Sequence, residues 1–289
     1  MPVRELARAK VNLTLRIRGR RVDGYHELES LVTFGGAHDV ITLDPGSAER
    51  VVVAGPFAQY IGGENLLIRA LTLLREADKS LRLGSVRLEK NLPVAAGLGG
   101  GSADAAALLR AVRRVNAERA GDFPWLETAA QLGADVPVCF VDRPALIWGR
   151  GHGVAQLPCL PRMSAVLVNP RLPLPTAQVF AVAQAGAAPP VQSAPTPPEL
   201  PDVESVFEYM CGQGNDLEAA AVALLPVIAE VKSILAAQPG CRLAAMSGSG
   251  PTCFGIFADR AGARRAAGTI AAAHPGWWVS STSLAGAQG

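Results

Sequence analysis

The chain has 289 residues, 49% of them hydrophobic, and its 27 basic and 25 acidic side chains leave a formal net charge of +2. That length allows two modest domains with apolar cores. The near-neutral balance gives no electrostatic footing for nucleic acid or an anionic membrane, so any anion site has to be built locally.

Residues 10–17 alternate, with Val11, Leu13, Leu15 and Ile17 on one face and Lys10, Asn12, Thr14 and Arg16 on the other. This period of two predicts a half-buried strand, and a solvated polar face is its simplest account. Residues 19–28 form a turn with Asp23-Gly24 chemistry between two apolar strands. A plain hairpin explains it, yet Arg20, Arg21, Tyr25 and His26 also place a ring beside donors, which is what holding a base requires. Further strands are predicted at 31–34, 40–43 and 51–54. Residues 64–78 then carry Leu66, Leu67, Ala70, Leu71 and Leu74 at helical spacing, with Asn65 placed to cap the helix.

A short strand at 86–89 runs through Lys90-Asn91-Leu92-Pro93 into a glycine run, Gly97, Gly99, Gly100 and Gly101. Such residues permit positive φ and close backbone approach, so their N–H groups can converge on an anion. A helix is predicted to begin at Ser102 and to reach Asn116, its Ala105, Leu108, Leu109 and Val112 forming the apolar stripe. The unpaired N–H groups of 102–105 would face the same anion. A Walker A loop needs a Lys where Ser102 stands, and a dinucleotide fingerprint needs a third glycine at that position. A phosphate cradle and a bare glycine turn remain.

Residues 126–132 read as a short helix closed by Gly133, and 134–140 as a turn into a strand, with Asp135 a turn or capping carboxylate. Strands follow at 145–149 and 163–169, separated by a Gly- and Pro-rich stretch at 151–161 that suggests a domain junction. Phe180 falls in a short helix starting at Thr176, where a core position accounts for it. The Pro- and Ala-rich segment 185–201 reads as a flexible surface excursion. One long helix is predicted from Asn215-Asp216-Leu217-Glu218 to about Ala237. A second glycine loop at 246–254, with Gly248 and Gly250, joins two strands, and a helix at 259–273 and a strand at 277–280 close the chain.

The five cysteines, Cys139, Cys159, Cys211, Cys241 and Cys253, form no Cys-x-x-Cys pair and point to reduced, mostly buried thiols in a cytoplasm. The four scattered histidines make no metal motif. The start lacks a signal peptide's apolar core, and no apolar run reaches the ~18 residues of a membrane span.

Several separated stretches resemble the GHMP kinases. Pro93-x-x-x-Gly97-Leu98-Gly99-Gly100-Gly101-Ser102-Ala103 is similar to their phosphate loop, Ala9-Lys10-Val11-Asn12-Leu13 to their opening motif, and Gly133-Ala134-Asp135-Val136-Pro137 to the motif carrying a catalytic aspartate. The loop at 246–254 lies where their third motif does. The stretch Gly19-Arg20-Arg21-Val22-Asp23-Gly24-Tyr25-His26 resembles the branch that acts on a cytidyl diphosphate sugar alcohol in non-mevalonate isoprenoid synthesis.

The resemblance implies an α+β fold with an ATP-binding domain at 1–157 and a ferredoxin-like domain at 158–289. It implies ATP-dependent phosphorylation of an alcohol with Mg2+, Asp135 acting as general base and Lys10 orienting it and offsetting charge on the transferred group. ATP would be held by Asn65, Pro93, Gly97, Leu98, Gly99, Gly100, Gly101, Ser102 and Ala103. Asn12 would fix the alcohol, while Tyr25, His26 and Phe180 would hold the cytosine. No second carboxylate stands out as a magnesium ligand, leaving phosphates, water and Ser102. Ala103 replaces a second serine that the family often has. No nucleic acid or membrane partner is implied, and the chain would be a monomer or weak homodimer. Alternatives are another small-molecule kinase of the superfamily, of the homoserine or mevalonate type, or a catalytically silent nucleotide-binding module.

Overall fold

The computed structural model describes residues 1–20, 22, 24–62, 65–158, 160–183 and 194–285. Arg21, Asp23, Glu64, Cys159 and positions 185–193 of the expected excursion lie outside the described residues.

The first half of the chain forms β1 (Val3–Asn12), β2 (Arg16–Arg20), β3 (His26–Asp44), β4 (Arg50–Ala54), α1 (Leu66–Ala77), β5 (Ser85–Glu89), α2 (Gly100–Val115), α3 (Trp125–Leu132) and α4 (Val136–Val141). It continues with β6 (Ala145–Gly149), β7 (Gly153–Gln156), β8 (Met163–Asn169), α5 (Thr176–Val182), α6 (Val203–Gln213), α7 (Glu218–Leu224) and α8 (Val227–Ala236). The last elements are β9 (Cys241–Met246), β10 (Cys253–Phe257), α9 (Arg260–Ala273) and β11 (Trp278–Ala285). Two compact units result, each assembled from separate stretches: 1–9, 37–94 and 99–142 in the first, and 10–36, 95–98 and 143 onward in the second.

In the first unit β4 runs parallel to β5, and β5 antiparallel to the second half of β3, with Val40 opposite Glu89. Helix α2 packs against α1, α3 and α4. Its run of Ala103, Ala105, Ala106, Ala107 and Ala111 is buried together with Leu108, Leu109 and Val112, because small side chains let neighbouring helices approach. Asn65 caps α1, its Oδ1 accepting the Leu67 N–H at 2.9 Å.

The second unit holds four antiparallel strands in the order β11–β8–β10–β9. The chain runs β8, helices, β9, β10, α9, β11, which is the ferredoxin-like arrangement the sequence led us to expect. Helix α8 packs on β9 and β10, and α9 on β8 and β11, around Val166, Val168, Ile228, Val231, Leu235, Met246 and Ile270. β2 and the first half of β3 form the expected hairpin, with Arg20 opposite His26, and β6 pairs with β3.

Several expectations need correction. The strand expected at 10–17 ends at Asn12, and the polar face of that stretch is covered rather than solvated: Lys10 and Asn12 in the strand and Thr14 just after it are at most 4% exposed. They are satisfied internally, Asn12 Nδ2 donating to Ser30 Oγ at 2.7 Å and the Leu31 N–H to Thr14 Oγ1 at 3.0 Å. The strands expected at 31–34 and 40–43 are parts of one 19-residue strand, β3. Residues 136–141 are a helix rather than a strand. A fully buried apolar run carries no period that separates the two, and Pro137 in the first turn suits a helix start. The long helix expected from 215 to 237 breaks into α7 and α8, bent by 120°. Pro226 lacks an N–H and clashes with the preceding turn, so it ends one helix and starts the next. Helix α6 and strand β7 were not anticipated. Of the four described cysteines, Cys139 and Cys253 are buried but Cys211 is exposed. No single helix among the described residues is long and apolar enough to cross a membrane.

Leu74 is fully buried on α1 and Ile68 on the same helix is 55% exposed. In urea titrations Leu74→Ala should therefore lose about 2–5 kcal/mol of stability, and Ile68→Ala should stay within about 0.5 kcal/mol of the parent.

Candidate active site

The glycine run opens α2 two residues earlier than expected. Gly99 at φ 61° is the N-cap, and the Ala103 N–H already bonds the Gly99 carbonyl at 2.8 Å. The N–H groups of Gly100, Gly101 and Ser102 are left without intrahelical acceptors at the positive end of a 16-residue helix, a ready anion site. Pro93, Leu98 and Ala103 are buried, so their side chains shape the loop rather than line it. A Cβ on Gly101 would come 3.6 Å from Leu66 Cδ1, which places the α1 start, capped by Asn65, beside the loop.

Beneath this first turn lies a group that sequence reasoning missed. Lys90 Nζ is 2.6 Å from Asp39 Oδ2 and 2.6 Å from Asp104 Oδ2, with all three side chains at most 5% exposed. Asp39 also accepts the backbone N–H groups of Asn91 and Leu92, at 2.5 and 2.7 Å, fixing the segment that leads into the loop. A Cβ on Gly100 would stand 3.2 Å from Lys90 Nζ. Asp104 Oδ1 has no hydrogen-bond partner among the described residues. Burial, partly offset by the Lys90 charge, pushes the Asp104 carboxyl up to about 7, whereas the two carboxylates raise Lys90 against the effect of its burial. The signal was present in the sequence: Asp104 is a charge within an otherwise apolar helical stripe, which demands a buried partner.

In the second unit, Gly97 has φ 71°, and a Cβ there would fall 2.6 Å from the Ser247 carbonyl oxygen and 2.7 Å from that of Gly250. The two glycine loops therefore touch backbone to backbone, which only glycine permits. The Lys10 N–H donates to the Leu98 carbonyl at 2.9 Å, and the Asn12 N–H to Ser247 Oγ at 3.1 Å. Lys10, Asn12, Gly97 and Leu98 are thus gathered around the second loop. Asp135 belongs to the first unit, a partly exposed residue at the start of α4 whose carboxylate does not cap that helix.

Tyr25, His26 and Phe180 also come together, in a cavity of about 840 Å³ that Arg20, Arg150 and Thr176 help to line. The His26 and Phe180 rings lie 5.0 Å apart and tilted by 31°. The Arg150 guanidinium sits 3.8 Å from the Tyr25 ring centroid, a cation on a ring face. Burial, followed by the charge of Arg20, holds the His26 imidazole below its ordinary range. Neutral His26 then offers one donor and one acceptor, while the rings offer faces and the arginines positive charge. A flat heterocycle bearing an anionic group fits this chemistry. Arg150 was not singled out from sequence because it lies in a Gly-rich turn that reads as punctuation.

Comparison with known proteins accords with this geometry. Residues 65–149 match the family described as GHMP kinases N terminal domain, and residues 198–275 match GHMP kinases C terminal. A 4-diphosphocytidyl-2-C-methyl-D-erythritol kinase of Rhodopseudomonas palustris is 49% identical over 98% of each chain, and one of Parvibaculum lavamentivorans is 48% identical over 99% of each. The crystal structure of a 4-(cytidine 5'-diphospho)-2C-methyl-D-erythritol kinase superposes with a TM-score of 0.78 at 36% identity, covering 99% of this chain and 100% of that one. A homoserine kinase from Cytophaga hutchinsonii shares the fold alone, with a TM-score of 0.67 at 17% identity.

Two stability measurements test the buried triad. Asp39→Ala leaves Lys90 and two backbone N–H groups short of an acceptor and should cost about 3–5 kcal/mol in urea unfolding at pH 7. The Asp104 carboxyl is raised in the folded state, so the native protein holds the proton more tightly and stability falls as pH climbs from about 4 to about 7. Asp104→Asn, neutral throughout, should flatten that slope; an unchanged slope would show that Asp104 is not its source.

Proposed function

Because this chain belongs to the GHMP kinases, and within them to the 4-diphosphocytidyl-2-C-methyl-D-erythritol kinase family, we propose that it transfers the γ-phosphoryl group of ATP to the 2-hydroxyl of 4-diphosphocytidyl-2-C-methyl-D-erythritol, a step of non-mevalonate isoprenoid synthesis. The observation that carries this reading is the cavity where Tyr25, His26 and Phe180 meet two arginines. A glycine loop alone would serve many alcohols; a ring-lined cavity with a neutral histidine suits a cytosine whose edge presents both a donor and acceptors.

In this reading the first-turn N–H groups of Gly100, Gly101 and Ser102 receive ATP phosphates, with Gly97 and Gly99 giving the backbone its shape. Pro93, Leu98 and Ala103 hold the loop from within, and Asn65 fixes the helix start beside it. Asp135 takes the proton of the attacking hydroxyl as general base. Lys10 orients that exchange and balances charge on the transferred phosphoryl group. Asn12, whose amide nitrogen is committed to Ser30, has its carbonyl oxygen left to position the alcohol. Tyr25 and Phe180 stack with the cytosine, and His26 reads its edge.

Magnesium fits as an ion that arrives with the nucleotide, because the Ser102 hydroxyl stands in the first turn of the anion-facing helix and Mg2+ needs few protein ligands when phosphates supply the rest. When bound, it neutralises the β- and γ-phosphate oxygens. We assign 1–157 to the ATP-binding domain and 158–289 to the C-terminal one, an assignment supported by the family matches at 65–149 and 198–275. A cytoplasmic location and a monomer or weak homodimer with no nucleic acid or membrane partner complete the proposal.

ADP release from ATP and Mg2+ over a panel of alcohols tests this reading directly. Turnover is expected with the cytidyl substrate and not with homoserine or mevalonate; the reverse would sink it. Asp135→Asn should stay folded by circular dichroism and lose about 10²–10⁴-fold in kcat, which a silent nucleotide-binding module would not show. Since His26 is held below its usual pKa of about 6.5, KM for the cytidyl substrate should be flat above neutrality and rise as pH falls through that lowered pKa, when the acceptor nitrogen becomes a donor. That rise should vanish in His26→Phe.

A further inference from the structure

The cavity wall and the phosphate loop are joined within the second unit by a line of hydroxyls that neither the reaction nor the family matches assign. Ser247, fully buried, accepts the Asn12 N–H at 3.1 Å and donates through the same oxygen to the Gly97 carbonyl at 2.9 Å. Two residues on, Ser249 shares a 2.9 Å hydroxyl–hydroxyl hydrogen bond with Thr176, the first residue of α5, the helix that carries Phe180. The loop between them is itself rigid. The Ser247 N–H bonds the Thr252 carbonyl at 2.9 Å, the Gly250 N–H bonds the Ser247 carbonyl at 2.9 Å, and the Thr252 N–H reaches the Ala96 carbonyl at 3.3 Å. Asn215 Nδ2 donates to the carbonyls of Met246 and Gly248 at 3.0 and 2.8 Å, and Asn169 Nδ2 donates to Thr252 Oγ1 at 2.8 Å.

We infer that Ser247 and Ser249 are positioning residues that fix, within the second unit, the span between the ring-lined cavity and the Lys10–Asn12 strand with Gly97, so that a ligand gripped in the cavity presents its alcohol to Asn12. The physical basis is the steepness of rate with geometry, since a displacement of about 1 Å in a reacting group can cost on the order of 10²-fold. Ser247 holds the Lys10–Asn12 strand and Gly97 through one oxygen atom. Ser249 holds the cavity wall through another. Neither hydroxyl needs to touch the ligand to act. The inference rests on the functional reading above, and its test separates the two.

The full chain is compared with Ser247→Ala, Ser247→Cys and Ser249→Ala. Ser247→Ala should lower kcat with the cytidyl substrate at least about tenfold while KM for it changes less than about twofold, and Ser247→Cys, which keeps a weak donor and acceptor, should recover part of the loss. Ser249→Ala should instead raise that KM at least about threefold. Hydrogen exchange gives the readout that does not depend on turnover: in Ser247→Ala the Asn12 amide should lose protection while β8 and β10 keep theirs. Parental kcat in Ser247→Ala, or an Asn12 amide as protected as in the parent, would overturn the inference. Should Ser247→Ala fail to fold, the KM of Ser249→Ala decides, and an unchanged value refutes the span. If the parent does not phosphorylate the cytidyl substrate, the functional reading fails and the exchange result alone judges the bridge.

Discussion

A lysine that is 3% exposed and shares its charge between two carboxylates is the constraint on which the start of α2 and the glycine run leading into it depend. Taking Lys90 and its carboxylates out of water costs several kcal/mol for each ion, which is why burial pushes Asp104 toward its neutral form, and only short, well-directed contacts recover the cost. Lys90, Asp39 and Asp104 therefore tolerate little displacement. Each is anchored to a different part of the first unit: Asp39 to β3, Lys90 to the exit of β5, Asp104 to the second turn of α2. Holding them at contact distance fixes where β5 ends relative to the start of α2, and the glycine run is the chain between those points. The loop's own residues contribute little stiffness, since glycine carries the largest conformational entropy of any residue. Within the first unit the ion triad holds Gly100, where a Cβ would stand 3.2 Å from Lys90 Nζ, and within the second the Ser247–Gly250 loop presses against Gly97.

The second unit uses the same economy with neutral groups. A ferredoxin-like sheet supplies stiff strands, and function sits on the connections between them. The hairpin after β2 brings Tyr25 and His26, the turn after β6 brings Arg150, and α5 brings Phe180. Together they gather ring faces, an imidazole held toward its neutral form and two arginines in one cavity. Two kinds of polar glue thus coexist: full charges under the anion site, and hydroxyls and amides around the cavity.

How much of this was legible beforehand varied with the kind of signal. Glycines at 97–101, the capping Asn65, the hairpin at 19–28 and the strand–loop–strand at 246–254 follow from local rules, and the structure has them all. The gathering of Tyr25, His26 and Phe180 rested on resemblance, because 154 positions separate His26 from Phe180 (180 − 26) and no periodicity spans that distance. Errors arose where burial erased periodicity. Val136–Val141 is apolar on every side and could be read as either element, and the alternation at 10–17 does not by itself reveal what covers its polar face, so the burial of Lys10 and Asn12 was supported by resemblance alone. Pro226 was overlooked because the residues around it keep helical spacing on both sides. The ion triad and the serine bridge escaped because each joins residues that are ordinary singly.

The interleaving of the two units has a consequence for how the protein is made. Every stretch of the first unit has been synthesised by residue 142, so at that point all the material for its sheet, its four helices and its ion triad exists. The second unit must wait: β11, which pairs with β8 along its length and with Phe34 and Gly35 of β3, is the last of the described elements to be synthesised. Throughout translation of the later half, the early stretch 10–36 is therefore already present but lacks the strand that borders it. The hydrogen bonds Asn12–Ser30 and Leu31–Thr14 join residues that all lie within that early stretch, whereas Ser247 for the Asn12 N–H, Gly214 for the Leu15 N–H and β11 beside Phe34 and Gly35 come only with the later half.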